Sequence, residues 1–172
     1  MNEFLLEGFP PVVDPDAKVL ILGSMPSEES LRRRQYYAHA RNQFWDIMGE
    51  LFGAGRDVPY TTRLQRLRTR RVALWDVVHQ CIRAGSLDSS IESESVKAND
   101  FARMFDQCPG IAAMFFNGCK AEELFHRQVK PGLRDVLAGV DLIRLPSTSP
   151  AHATLSKQEK VACWMQVLDH LS

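Results

Sequence analysis

Four short apolar runs constrain this chain more than any other feature. They are KVLILG (18–23), RVALWD (71–76), IAAMFF (111–116) and VDLIRL (140–145). The first three are nearly continuous in hydrophobicity, the pattern of strands covered on both faces, while the fourth alternates. A sheet covered on both faces needs helices on both sides, and the intervening sequence supplies them. Residues 42–52 set Phe44, Ile47, Met48 and Leu51 at helical spacing, and residues 61–70 set Leu64 and Leu67 on one side with arginines on the others. Phe101, Met104, Phe105 and Cys108 recur at i, i+3, i+4 and i+7, and residues 121–129 form a shorter candidate. The last helix carries a start signal: Ser156 and Glu159 make a capping box, with Val161, Trp164, Met165 and Leu168 as the apolar face behind it. Strands alternating with helices predict an α/β sandwich around a mainly parallel four-stranded sheet.

Ligands of such folds bind beyond the carboxyl ends of the strands. The segments that follow the strands are GSMPS (23–27), DVVH (76–79), Asn117-Gly118 and PSTSPAH (146–152), and GSLDSSIESES (85–95) reads as the longest loop. At 172 residues the chain is expected to form one domain, 1–172, large enough to hold its own core. Hydrophobic residues at 45% and charged residues at 24% exclude a disordered chain. No apolar run approaches the ~20 residues of a membrane span. The first residues carry acids where a signal peptide carries bases, so a soluble cytoplasmic protein, acting as a monomer, is expected.

The formal net charge is zero, which argues against a nucleic-acid coating protein, but the charge is unevenly spread. Residues 31–71 hold ten arginines against three acids, a local excess of +7. A solvated helix face and a phosphate-facing patch explain this equally well; on the second reading Arg32, Arg33 and Arg34 contact DNA. The spacing of Cys81, Cys108, Cys119 and Cys163 fits neither zinc nor iron–sulfur ligation, so reduced thiols and no metal or other cofactor are expected. Glycine-rich phosphate loops, H-E-x-x-H and G-x-S-x-G are absent. What stands at the strand ends is polar and mostly uncharged, with Tyr36, Tyr37, Phe44 and Trp45 close in sequence. Aromatic rings beside an amide suit a planar, hydrogen-bonding ligand such as a nucleobase.

The segment GSMPSEESLRRRQYYAHARNQFW (23–45) resembles the first motif of the uracil-DNA glycosylase superfamily, and most of all its hypoxanthine-DNA (deoxyinosine) glycosylase branch. In the related mismatch-specific uracil/thymine enzymes this motif runs G-x-N-P-G, an aromatic, then A-H-P-x-N-x-F-W. Gly23, Pro26, Tyr37, Ala38, His39, Asn42, Phe44 and Trp45 match it without a gap. LPSTSPA (145–151) resembles the superfamily's S-P loop after the last strand, and WDVV (75–78) with GSLDSSI (85–91) is similar to the same branch. The resemblance covers roughly residues 18–168. It implies a three-layer α/β/α sandwich and metal-free hydrolysis of the N-glycosidic bond of a deaminated base, chiefly hypoxanthine, flipped out of DNA. Met25 stands where the mismatch-specific enzymes carry an Asn that orients water, and Ser147 stands where the uracil-removing enzymes begin H-P-S-P. The resemblance therefore implies weak uracil excision and a catalytic role for the later amide, Asn42.

The same resemblance implies base contacts by Tyr37, Asn117, Ser24 and Met25, and DNA contacts by Ser147, Ser149, Pro150 and His152. Each residue also has a plainer role open to it. Asn42 can cap a helix, Tyr37 can sit in the core, Asn117 can close a turn, and the serines and Pro150 can shape a loop. His39 and Asp76 read as structural supports, His79 and Asp88 as weak candidates. Two other functions stay open: a small hydrolase with Ser24 as nucleophile and His152 as base, and a lesion-binding module without catalysis.

Overall fold

The computed structural model describes residues 5–172. In chain order it contains β1 (Leu5–Glu7), β2 (Val19–Gly23), α1 (Glu28–Arg33), α2 (Phe44–Phe52), α3 (Tyr60–Thr69), β3 (Val72–Asp76), β4 (Val78–Ile82), β5 (Lys97–Ala98), α4 (Phe101–Gln107), β6 (Ala113–Asn117), α5 (Cys119–Gln128), β7 (Asp141–Leu145), α6 (Lys157–Trp164) and α7 (Gln166–Asp169). The four strands expected from the apolar runs form one sheet in the order β3-β2-β6-β7, every neighbouring pair parallel.

The alternation of side chains along β2 sorts the helices into two layers. Leu20 and Leu22 face one way, with Phe101, Met104 and Phe105 of α4 and Leu124 and Phe125 of α5. Val19 and Ile21 face the other way, with Phe44, Ile47 and Met48 of α2, Leu67 of α3, Trp164 of α6 and Val167 of α7. Both faces of β2 are therefore covered, which is why VLILG is apolar without a break. The architecture is the three-layer α/β/α sandwich. From β2 the chain winds to β3 on one side, and the next sheet strand, β6, lies on the other. The carboxyl ends of β2 and β6 thus flank the point where the strand order reverses, the place at which a parallel sheet opens a crevice.

Several parts of the fold depart from expectation. A second, antiparallel sheet pairs β1 with β4 and β4 with β5. Residues 85–95 remain a loop as expected, but they form two single 3-10 turns, and the Arg83–Ile91 bridge draws Ile91 into the core. α1 was not expected; Ser27 caps it by accepting from Ser30 N, and Arg34 ends it in the left-handed region at φ 52°. α2 begins at Phe44 rather than at residue 42, for a reason that belongs to the site. No helix among the described residues is long and apolar enough to cross a membrane.

Most of the local arginine excess is spent inside the molecule. Arg32 and Arg33 both pair with Glu29 on α1, Arg68 with Asp14, and Arg71 with Asp16. Arg63 binds the Val58 carbonyl and lies over the Trp45 ring, Arg66 binds the Gly53 carbonyl, and Arg70 covers Phe52. Arg56 pairs with Asp46 and donates to the Asn42 carbonyl.

Candidate active site

A cleft of about 760 Å³ opens at the carboxyl edge of the sheet. The register places Gly23 beside Asp76, and Asn117 beside Leu145, so the segments expected to carry the site do meet there. Gly118, at φ 93°, lets the chain turn sharply from β6 into α5; a β-carbon there would lie 3.0 Å from Ser147 Cβ. The segment after β7 can therefore lie directly against it. Trp164 Nε1 donates to the Pro146 carbonyl and Lys160 Nζ to the His152 carbonyl, and these two bonds pin both ends of that segment.

One side of the cleft is a neutral network. Thr148 is fully buried at its centre. Its hydroxyl donates to Asn42 Oδ1 at 2.8 Å and accepts from Asn117 Nδ2 at 3.0 Å; its backbone N–H donates to Asn117 Oδ1 at 2.9 Å. Its carbonyl accepts from Gln43 N. Asn42 Oδ1 also accepts from Phe44 N at 2.9 Å, a turn that occupies residues 42–43 and sets the start of α2 at Phe44. These partners fix both amide orientations, since a backbone N–H must face oxygen. The consequence for chemistry is specific. Asn42 Oδ1 already accepts twice, so what Asn42 can still offer to a ligand is its Nδ2 protons. Asn117 likewise keeps one N–H that Thr148 does not use.

The other side is charged and buried. Ser24 Oγ donates to Asp88 Oδ1 at 2.6 Å. Asp76, only 4% exposed, has an Oδ2 with no hydrogen-bond partner among the described residues. Burial, aggravated by the nearby Asp88 charge and eased by Arg83, pushes its carboxyl up from 3.8 to about 7. Burial also raises Asp88, against the Ser24 hydrogen bond and the Arg83 and Lys120 charges that favour its ionised form. Arg83 is buried, and it is held by the Gly85 and Pro26 carbonyls at 2.7 and 2.6 Å.

Tyr37 joins the two sides. Its ring stacks on Phe44 with centroids 4.0 Å apart, and its backbone takes φ 53°, uncommon for a residue with a β-carbon. Its hydroxyl is buried without a well-formed hydrogen bond, although Asn117 approaches it, and burial beside Asp76 keeps it protonated. A β-carbon on Gly23 would collide with the Asp76 carboxylate and lie 2.8 Å from the Tyr37 hydroxyl, so only glycine fits between the two groups.

The cleft brings together Ser24, Met25, Tyr37, Asn42 and Asn117 with Ser147, Ser149, Pro150 and His152, as the sequence suggested. It does not include Arg32, Arg33 or Arg34; the first two are turned to Glu29, and Arg34 lines a separate apolar cleft beside Phe9 and Tyr60. The Ser24–His152 pair of a serine hydrolase does not form: Ser24 donates to Asp88, and His152 is exposed on the rim. Sequence reasoning passed over Thr148, and it treated Asp76 as a support. It also left out the cleft's own cations, Arg41 and Lys120.

A family model described as the uracil DNA glycosylase superfamily matches residues 10–170. The chain is 38% identical over 164 residues to a hypoxanthine DNA glycosylase of Methanosarcina acetivorans, covering 95% of this chain and 98% of that protein. It is 38% identical over 118 residues to a hypoxanthine DNA glycosylase of Methanosarcina barkeri, covering 68% of this chain and 73% of that protein. A solution NMR structure from Methanosarcina acetivorans, of a protein provisionally designated a uracil DNA glycosylase, superposes with a TM-score of 0.75 at 36% identity, over 95% of this chain and 99% of that one. The chain belongs to the uracil DNA glycosylase superfamily.

Proposed function

We propose that this protein is a monofunctional DNA glycosylase, one domain acting as a monomer in the cytoplasm, that hydrolyses the N-glycosidic bond of deaminated bases in DNA, chiefly hypoxanthine. The observation that carries this reading is the Asn42–Thr148–Asn117 network, which holds two amides rigid at the carboxyl edge of the sheet. The names of the two Methanosarcina relatives support hypoxanthine as the base.

A base stacked in a duplex is out of reach of such a cleft, so it must be flipped, at a cost of a few kcal/mol that is least for a poorly paired lesion. Tyr37, which lines the cleft and stacks on Phe44, is the ring on which the base would stack. Water then adds its oxygen to C1′ of the sugar, the N-glycosidic bond breaks towards the base, and the proton left over from water ends on the base. Negative charge develops on the departing purine. Asn42 Nδ2 can donate to that charge, whereas its oxygen, accepting twice already, is not free to take a proton from water. The spare N–H of Asn117 suits the C6 carbonyl of hypoxanthine and meets the amine of adenine donor to donor. Met25 has no polar group with which to hold water, in keeping with weak activity on uracil. Arg41, Lys120, Ser147, Ser149, Pro150 and His152 stand where the flanking strand would pass.

A base-release assay tests this directly. Duplex DNA carrying deoxyinosine should lose hypoxanthine and gain an abasic site in EDTA, with uracil released far more slowly. Rapid uracil release without hypoxanthine release would overturn the substrate assignment, and binding without any release would make the protein a lesion-binding module.

A further inference from the structure

We propose that Asp76 is a further catalytic residue, its carboxyl acting as a hydrogen-bond donor to the departing base. This rests on the glycosylase reading above. Asp76 lines the cleft, and its Oδ2 is a buried polar atom with no partner among the described residues. Such an atom costs more when the carboxyl is ionised than when it is neutral, and it is as a lining residue of the cleft that Asp76 would meet a base held there. The fold goes to some length to keep the carboxyl there. Gly23 leaves it room that any β-carbon would fill, and Val77 N and Val78 N bind the Gly23 and Ser24 carbonyls, fixing the two chains just beyond the pair.

The charges around Asp76 decide which protonation state it holds. Asp88 faces it from the 85–95 loop, Arg83 from the end of β4, and Tyr37, with Tyr36 and Tyr60 beyond it, from the α2 side. Asp88 has the Ser24 hydroxyl as a donor and feels Arg83 and Lys120; among the described residues no donor reaches Asp76 Oδ2. Of two acids sharing a buried site, the one without donors keeps the proton. A neutral Asp76 presents an O–H to a purine gathering negative charge, and an ionised Asp76 would repel it. The proton stays on Asp76 throughout, because the one that ends on the purine comes from water.

The test is the pH profile of single-turnover hypoxanthine release from a deoxyinosine duplex. The wild-type rate should fall about tenfold per pH unit above the Asp76 midpoint near 7. Asp76→Asn keeps a donor that cannot ionise, so its rate should stay level from pH 6 to pH 9, whereas Asp76→Ala should be slow throughout. Asp88→Asn removes the like charge and should move the wild-type fall to lower pH. A ¹³C NMR titration of the Asp76 carboxyl should show the same midpoint without reference to activity. A falling limb that survives unchanged in Asp76→Asn, or a carboxyl that titrates near 4, would overturn the inference and leave the glycosylase reading standing. Absence of hypoxanthine release from the wild type at every pH would overturn both.

Discussion

The two sides of the cleft solve the same problem, holding polar groups away from water, in opposite ways. Around Thr148 the hydroxyl, the backbone N–H and both asparagine oxygens are matched, hydroxyl to carbonyl, amide to hydroxyl and backbone N–H to carbonyl, with Gln43 Oε1 the exception beside them. Around Asp76 the groups are ionisable and incompletely matched, with Asp76 Oδ2 and Arg83 Nη1 both without a partner among the described residues. A matched network fixes geometry at little cost, while an unmatched buried acid stores a cost that depends on protonation. The first side therefore suits orientation of the base and the second suits a response to charge that appears only during reaction.

The largest expected effect sharpens the unmatched side. The folded chain holds the Asp76 proton up to about pH 7, while an unfolded chain releases it near 4. Between those values the folded state binds more protons, so stability falls as pH rises from about 4 to about 7 and levels off above. A carboxyl moved from 3.8 to about 7 carries a penalty of up to about 4 kcal/mol at pH 8. Asp76→Asn should remove it, raising the melting temperature above wild type at pH 8 and by far less at pH 5. Equal melting temperatures at pH 8 would place Asp76 among the well-solvated acids and erase the contrast between the two sides.

Next in size is Asn42→Ala, aimed at the matched side. Loss of one hydrogen bond to developing charge in a dry site costs ~3–4 kcal/mol of barrier, on the order of 100–1000-fold in single-turnover release. Loss of the turn that starts α2 should cost only ~1 kcal/mol of stability. A folded variant with near wild-type release would move the chemistry to Asp76 and Asn117. Thr148→Val is gentler: it keeps shape, but it leaves Asn117 Nδ2 without its acceptor and Asn42 Oδ1 with one donor instead of two. About 1–3 kcal/mol of stability should go, measured by denaturant unfolding, with a smaller loss of release than in Asn42→Ala. Unchanged stability would mean that the network is not what holds the amides.

The same contrast explains what could be read in the sequence. The parallel sheet was legible because burial on both faces leaves an unbroken apolar run. The antiparallel sheet was not: Val78–Ile82 buries only Val78 and Cys81 fully, and its partners are three and two residues long. Asn42 and Asn117 were legible from a motif and from a strand end. Thr148 was missed because, between Ser147 and Ser149, nothing local marks the one hydroxyl that turns inward. Asp76 reads in the sequence only as a structural support because its burial is made at a distance, by Tyr37 and by the 85–95 loop that brings Asp88. The arginine excess left two readings open for a related reason: composition counts charges, but partners such as Glu29 and the Val58 carbonyl decide which of them are free for a ligand.

The smallest expected effect concerns those arginines, and it bears on DNA binding instead of chemistry. A cation that meets a phosphate releases a counterion, so its removal should reduce the slope of log affinity against log salt by about one. Arg41 is exposed and lines the cleft, directly before Asn42 in the chain. Arg32 and Arg33 share one carboxylate on α1, outside the cleft, and a phosphate would have to compete with Glu29 for them. Arg41→Ala should therefore shallow the slope by about one, while Arg32→Ala and Arg33→Ala should leave it as it was. The readout is binding to a deoxyinosine duplex across a salt series, made with Asn42→Ala as background so that the base stays attached. A slope lost in Arg33→Ala and kept in Arg41→Ala would extend the DNA footprint to α1 and return the phosphate contacts to the arginine run that the sequence first suggested.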